Sequence, residues 1–138
     1  GMWNLAKIYG AINKDEKKIL FLEKLAKSGY ERALVELGII YKKKNKIDQA
    51  IDHFRRAAET NLPLGIFQYG NELLLGELLT QNIKKGLQLI EKAAGFGCRR
   101  AIKKLIDIYS NGIGDVPKNP NLVDHYQKIL EQMPKHLR

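Results

Sequence analysis

The chain has 138 residues, 44% of them hydrophobic and 28% charged, with a formal charge of +9. That length suits one domain, and the composition argues against disorder. No apolar run reaches the ~18 residues of a membrane span, and a single cysteine, Cys98, excludes an intramolecular disulfide.

The first element reads as a helix from about Met2 to Ala11, apolar at Trp3, Leu5, Ile8 and Tyr9 on nearly all sides. Its partner starts near Asn13, where Glu16 three residues on completes a capping-box pattern, and stops at Gly29. The second pair covers Glu31 to Lys44 and Ile47 to Thr60, with Ala50, Ile51, Phe54, Ala57 and Ala58 on one stripe of its second helix. Asn61 ends that helix, and Pro63 opens the next, where a missing amide donor costs nothing. The third pair runs from Pro63 to Leu75 and from Ile83 to Phe96, joined by a loop from Gly76 to Asn82. The fourth runs from Arg99 to Ser110, then from the cap Asn119 and Pro120 to Met133, before Pro134. Small residues such as Gly38, Ala57, Gly70, Gly86 and Ala93 stand where paired helices must approach closely.

These elements repeat. Tyr9 and Tyr41 stand 32 residues apart, as do Ala26 and Ala58, and Gly29 and Asn61. Tyr41 steps by 32 to Leu73, and a step of 36 carries Leu73 to Tyr109, Ala58 to Ala94 and Asn61 to Gly97. A helical period of this size predicts stacked helix pairs that share one continuous core. Units of about 2–30, 31–62, 63–98 and 99–133, with a tail at 134–138, fill a single repeat domain.

Residues Ala33 to Pro63 resemble a tetratricopeptide repeat at Leu37-Gly38, Tyr41, Ala50, Phe54 and Ala57. The third and fourth units resemble the Sel-one-like repeat (SLR) family, which has a longer loop between its helices. Tyr109, Gly112, Gly114, Val116, Asn119-Pro120, Tyr126 and Lys128 follow that pattern, as do Gly76, Asn82, Lys85-Gly86, Lys92-Ala93-Ala94 and Gly97. Asp115 is inserted and Leu73 replaces a tyrosine. The cysteine pairs of some secreted members are missing. The resemblance implies an all-α, right-handed alpha-alpha superhelix of about four antiparallel helix pairs. It also implies a non-enzymatic scaffold or adaptor that binds proteins.

In such repeats the first helix of each pair lines a concave wall. That geometry assigns Lys7 to the wall from the first unit, and Arg32, Val35, Ile39, Lys42 and Lys43 from the second. It adds Phe67, Asn71 and Leu74 from the third unit, and Arg100, Lys103, Asp107 and Asn111 from the fourth. A mixed basic and apolar groove suits an extended or helical segment of acidic character. Arg100 and Lys104 match the later, basic part of the clamp with which some tetratricopeptide proteins hold a terminal carboxylate. Val35 and Ile39 stand where its early polar residues would be, so the clamp is incomplete.

Chemistry is sparse. Gly112-x-Gly114 follows no strand and precedes no Lys-Ser/Thr pair, so it is a repeat loop and not a phosphate loop. His53 and His125 occupy equivalent places and read as packing or surface groups, and His136 lies in the tail. Asp15-Glu16 is a helix-start pair. No metal-ligand spacing, nucleophile with a base, or cofactor motif is present, so neither catalysis nor a cofactor is expected. Cys98 reads as a small apolar residue at a helix start. The positive charge attracts acidic partners, and a nucleic-acid-binding solenoid is the alternative it raises, but the lysines are spread along the whole chain. No signal-peptide pattern is seen and a cytoplasmic location is expected, although Gly1-Met2 reads as a cloning remnant that leaves room for an upstream signal. The apolar first helix suggests preceding sequence or self-association through that face.

Overall fold

The computed structural model describes residues 2–134, with side chains from residue 14 onward. Among these residues it holds seven helices: α1 (Met2–Lys27), α2 (Arg32–Lys43), α3 (Ile47–Glu59), α4 (Pro63–Leu75), α5 (Ile83–Gly95), α6 (Arg99–Asn111) and α7 (Pro120–Gln132). The only β pairing among them is an isolated bridge between Ile113 and Val116. The architecture is the expected all-α solenoid. One expectation changes: α1 is a single helix of 26 residues and not a pair broken near Asn13. No proline interrupts Met2–Lys27. An asparagine inside a helix costs only a few tenths of a kcal/mol, roughly, so a capping-box pattern alone does not force a break. The side chains through residue 13, and with them Lys7 and the first helix's outer face, lie outside the described residues, as does His136.

The repeat is written in the helix ends. Gly29, Asn61 and Gly97 follow α1, α3 and α5 at φ of +95°, +61° and +85°. A left-handed residue there lets the chain turn back and bond the last carbonyls. Tyr30 N donates to Leu25 O at 2.9 Å, and Cys98 N donates to Ala93 O at 3.1 Å. The longer loops end on caps. Asn82 Oδ1 accepts from Lys85 N at 3.1 Å, and Asn119 Oδ1 accepts from Leu122 N at 3.2 Å. The amides of these two asparagines reach back to the same repeat position, Asn82 N to Leu73 O and Asn119 N to Tyr109 O, each at 2.8 Å. The extra residue Asp115 is absorbed in the tight turn closed by Ile113 and Val116.

Packing spreads along the stack and has no single centre. One buried cluster joins α4, α5 and α6 through Ile66, Leu74, Ile90 and Leu105. Others join α1 to α2 through Leu22, Ala33 and Leu37, and α2 to α3 through Leu34, Val35 and Ala57. Helices α4 and α5 approach backbone to backbone. A Cβ placed on Gly86 would lie 2.7 Å from Gly70 O and 2.8 Å from Leu74 N.

A polar bond also recurs between units. Tyr41 Oη donates to Glu23 Oε1 at 3.2 Å, and Tyr109 Oη donates to Glu91 Oε1 at 2.8 Å, each spanning 18 residues. At the middle junction the repeat puts Leu73 in the tyrosine's place and Arg55 in the glutamate's, so both partners change together. Arg55 pairs instead with Asp52 at 2.9 Å. Burial first, then the bond to Glu91 and its charge, push the Tyr109 phenol well above its ordinary range. The same causes raise Tyr41, with Glu23 as the carboxylate. A tyrosine whose folded pKa is raised ionises first in the unfolded chain, so the unfolded state binds fewer protons above pH ~10. Stability is therefore full below that pH and falls as pH climbs toward the folded values. Denaturant melts at stepped alkaline pH, with phenolate absorbance as the second signal, are expected to show the decline in wild type. Tyr109→Phe is expected to flatten it.

Candidate functional site

Helices α2, α4 and α6 touch in succession and form one row, while α3, α5 and α7 pack against its back. Every residue assigned to the wall from α2 onward sits on this row, but not all reach its surface. Arg32, Arg100, Lys103, Asp107 and Asn111 are exposed, and Ile39, Lys42 and Asn71 are half-buried. Val35, Phe67 and Leu74 are core residues: Val35 is 1% exposed, Leu74 fully buried and Phe67 nearly so. They brace the wall from behind and cannot meet a partner. Lys43 is exposed but borders a recess of about 250 Å³ beside Asp15 and Lys18 of α1, on the opposite side of α2 from α4. Near the end of α6, Asn111 Nδ2 donates to Asp107 Oδ1 at 2.9 Å, which fixes both polar groups.

The middle of the row carries a charge pair that sequence reading missed. Lys42 Nζ lies 2.6 Å from Glu72 Oε1 and 3.1 Å from Glu77 Oε2. Glu72 is 2% exposed. By the repeat it stands where the second and fourth units have Ile40 and Ile108, and that break in pattern was the available signal. Burial pulls the Lys42 pKa down, but its bonds to Glu72 and Glu77 outweigh this and the net direction is up. Beside it, Asn71 Oδ1 and Glu72 Oε2 are buried acceptors without a hydrogen-bond partner. Buried polar atoms are rarely left so.

A second feature is a cleft of about 420 Å³ at the end of the row where α2, α4 and α6 begin. Its lining includes Arg32 and Arg100, together with Arg99, Phe96 and Cys98. Cys98 is half-buried and stands just before α6. His53 is half-buried with its ring 5.1 Å from that of Tyr41, while His125 is exposed, its ring 5.0 Å from that of its neighbour Tyr126, centroid to centroid. Among the described residues no group of three or more His, Cys, Asp or Glu could hold a metal ion. Nor is any described helix long and apolar enough to cross a membrane.

The geometry has close counterparts among solved structures. A Sel1 repeat protein from Oxalobacter formigenes superposes with a TM-score of 0.74 at 20% identity, over 83% of this chain and 48% of that one. The antigen c5321 of uropathogenic Escherichia coli strains, described as displaying an SLR fold, superposes with a TM-score of 0.72 at 28% identity, over 83% of this chain and 25% of that one. This chain has the Sel1-repeat fold. It spans about half the length of the first counterpart and a quarter of the second. No family model and no curated protein matches the sequence. Within the Sel1-repeat frame, α2–α3, α4–α5 and α6–α7 are the helix pairs, and α1 packs on the first of them.

Proposed function

We propose that this chain is a non-enzymatic interaction scaffold that takes an acidic, extended or helical protein segment along the α2–α4–α6 row. The observation that carries this reading is the row itself. Exposed Arg32, Arg100 and Lys103 flank half-buried Ile39 and Asn71, and the Asn71 Oδ1 acceptor is unpartnered. A segment lying there would offer carboxylates to the cations and apolar side chains to Ile39. The net charge of +9 favours encounter with acidic chains. The Sel1-repeat fold supports the scaffold role, since stacked helix pairs present an extended surface.

Selection of a displayed peptide library on the full chain tests the reading. The selected peptides are expected to be acidic and to lose about tenfold or more in affinity when Ile39→Arg and Lys103→Glu are combined, equivalent to the loss of a buried apolar contact and a favourable charge. Unchanged affinity would remove the row as the site. Tight binding of RNA or DNA, with base preference and a steep fall with salt, would favour nucleic acid as the partner.

A further inference from the structure

The net charge is unevenly placed. Residues 1–46 hold 11 of the 24 lysines and arginines but only five of the 15 aspartates and glutamates, so a third of the chain carries +6 of the +9. Much of that excess lies on α1. Leu22, with Ile19, Leu25 and Ala26, packs toward α2. On the side turned away from α2, Lys14, Lys17, Phe21 and Lys24 follow one another at helical spacing, with Leu20 and Lys27 alongside, all exposed. Phe21 is 61% exposed and Leu20 57%. Single exposed apolar residues are ordinary, but these two are adjacent and ringed by lysines. Lys18 adjoins Lys43 and Lys44 of α2 across the recess that also holds Asp15. The other nearby carboxylates stand aside from the face. Glu23 is taken up by Tyr41 Oη at 3.2 Å, Glu16 lies at the margin, and the exposed Glu31 and Glu36 belong to the α2 side. No described carboxylate forms an ion pair with Lys14, Lys17, Lys24 or Lys27.

We propose that this face of α1 docks on an anionic lipid surface, with Phe21 and Leu20 entering the headgroup region and the four lysines meeting negative headgroups. The cations of the face are all lysines. A lysine is a point charge on a flexible stem and suits a diffuse negative field, whereas a matched carboxylate is gripped best by the arginine fork. Phenylalanine and leucine beside lysines are also what a helix lying in the plane of a lipid interface presents. From Lys14 to Lys27 the face runs about 20 Å along one helix, which a plane can touch throughout. A second copy of the chain would set the same lysines against one another, and like charges oppose that contact. The attachment is peripheral, since no described helix is long and apolar enough to cross a membrane. Helix α1 packs on α2 at the end of the inner row, so docking leaves the row open and the proposal stands independently of it.

Co-sedimentation of the full chain with vesicles tests this, using phosphatidylcholine alone and phosphatidylcholine mixed equally with phosphatidylserine. Binding is expected on the mixed vesicles and not on the neutral ones, and it should weaken as salt screens the lysines. K17Q/K24Q is expected to lose about 25-fold in affinity, at about fivefold for each lysine near an anionic surface. L20S/F21S is expected to lose about tenfold or more while keeping the salt dependence, which a purely electrostatic contact would not show. Both variants change exposed side chains, and wild-type circular dichroism checks their fold. On mixed vesicles, acetylation by a water-soluble succinimidyl ester should fall at Lys17 and Lys24 and not at Lys103. The row variant I39R/K103E should bind vesicles as wild type does, so failure of the row and failure of this face are read separately. No binding to mixed vesicles would overturn the proposal, as would binding indifferent to L20S/F21S with protection spread evenly over the lysines. A concentration-dependent dimer that L20S/F21S dissolves would give the face to a second copy and overturn it. Tighter binding of an RNA homopolymer or of polyglutamate than of mixed vesicles, lost in K17Q/K24Q, would overturn the assignment to lipid.

Discussion

Gly86→Ala is expected to destabilise the chain by about 2 kcal/mol, while the same change at Gly95 is expected to stabilise it by up to about 1 kcal/mol. Both glycines lie in α5, and both gain helix propensity on becoming alanine. The difference is what the new methyl meets. At Gly95 it meets nothing within 4 Å. At Gly86 it meets the α4 backbone, 2.7 Å from Gly70 O, 2.8 Å from Leu74 N and 3.0 Å from Leu74 Cα. Backbone cannot swing aside as a side chain can, so α4 and α5 must separate. Separation loosens the contacts of Leu74 and Ile90, both fully buried. The overpacking cost of roughly 1–3 kcal/mol falls at its upper end here and exceeds the propensity gain of roughly 1 kcal/mol. Thermal melts should show a drop of about 8 °C for Gly86→Ala and a small rise for Gly95→Ala. Two shifts of the same sign would mean that the close approach of α4 and α5 is not a packing constraint.

Lys42→Leu is expected to cost about 3 kcal/mol, the lower end of what removing one partner of a buried ion pair costs. The lower end applies because the Lys42 side chain is 36% exposed and part of the pair is already solvated. Removal leaves Glu72 Oε1 without its 2.6 Å partner, next to Oε2, which has none already. Glu72→Ile is expected to behave oppositely, holding stability within about 1 kcal/mol of wild type or raising it. It restores the residue that the repeat has at Ile40 and Ile108, and Lys42 keeps Glu77 at 3.1 Å. The double variant should recover most of what Lys42→Leu loses, a coupling that a double-mutant cycle by urea denaturation measures directly. Additive losses would mean that the pair contributes nothing specific.

Local chemistry made the helix ends legible. The turns at Gly29, Asn61 and Gly97 and the caps Asn82 and Asn119 depend on residues within a few positions, and each stands where the repeat put it. The break near Asn13 failed because Asn with Glu three residues on also fits a helix that simply continues. Depth in the stack was not legible. Val35, Phe67 and Leu74 share the inner helices with Arg32 and Lys103, and which side of each helix opens outward depends on how closely neighbouring pairs stack. The Lys42–Glu72 pair spans 30 residues and the cleft joins three separate turns, so neither has a local pattern. Counting by the repeat does expose Glu72 as the odd residue, and a Tyr–Glu link that alternates with Leu–Arg.

The role of the inner row is most directly tested by amide chemical-shift mapping of the isotope-labelled chain with a selected acidic peptide. Shifts are expected to trace one continuous path over Arg32, Ile39, Asn71, Arg100 and Lys103, across three helices distant in sequence. Shifts gathered instead on the outer helices α3, α5 and α7, with the inner row silent, would contradict recognition by this face.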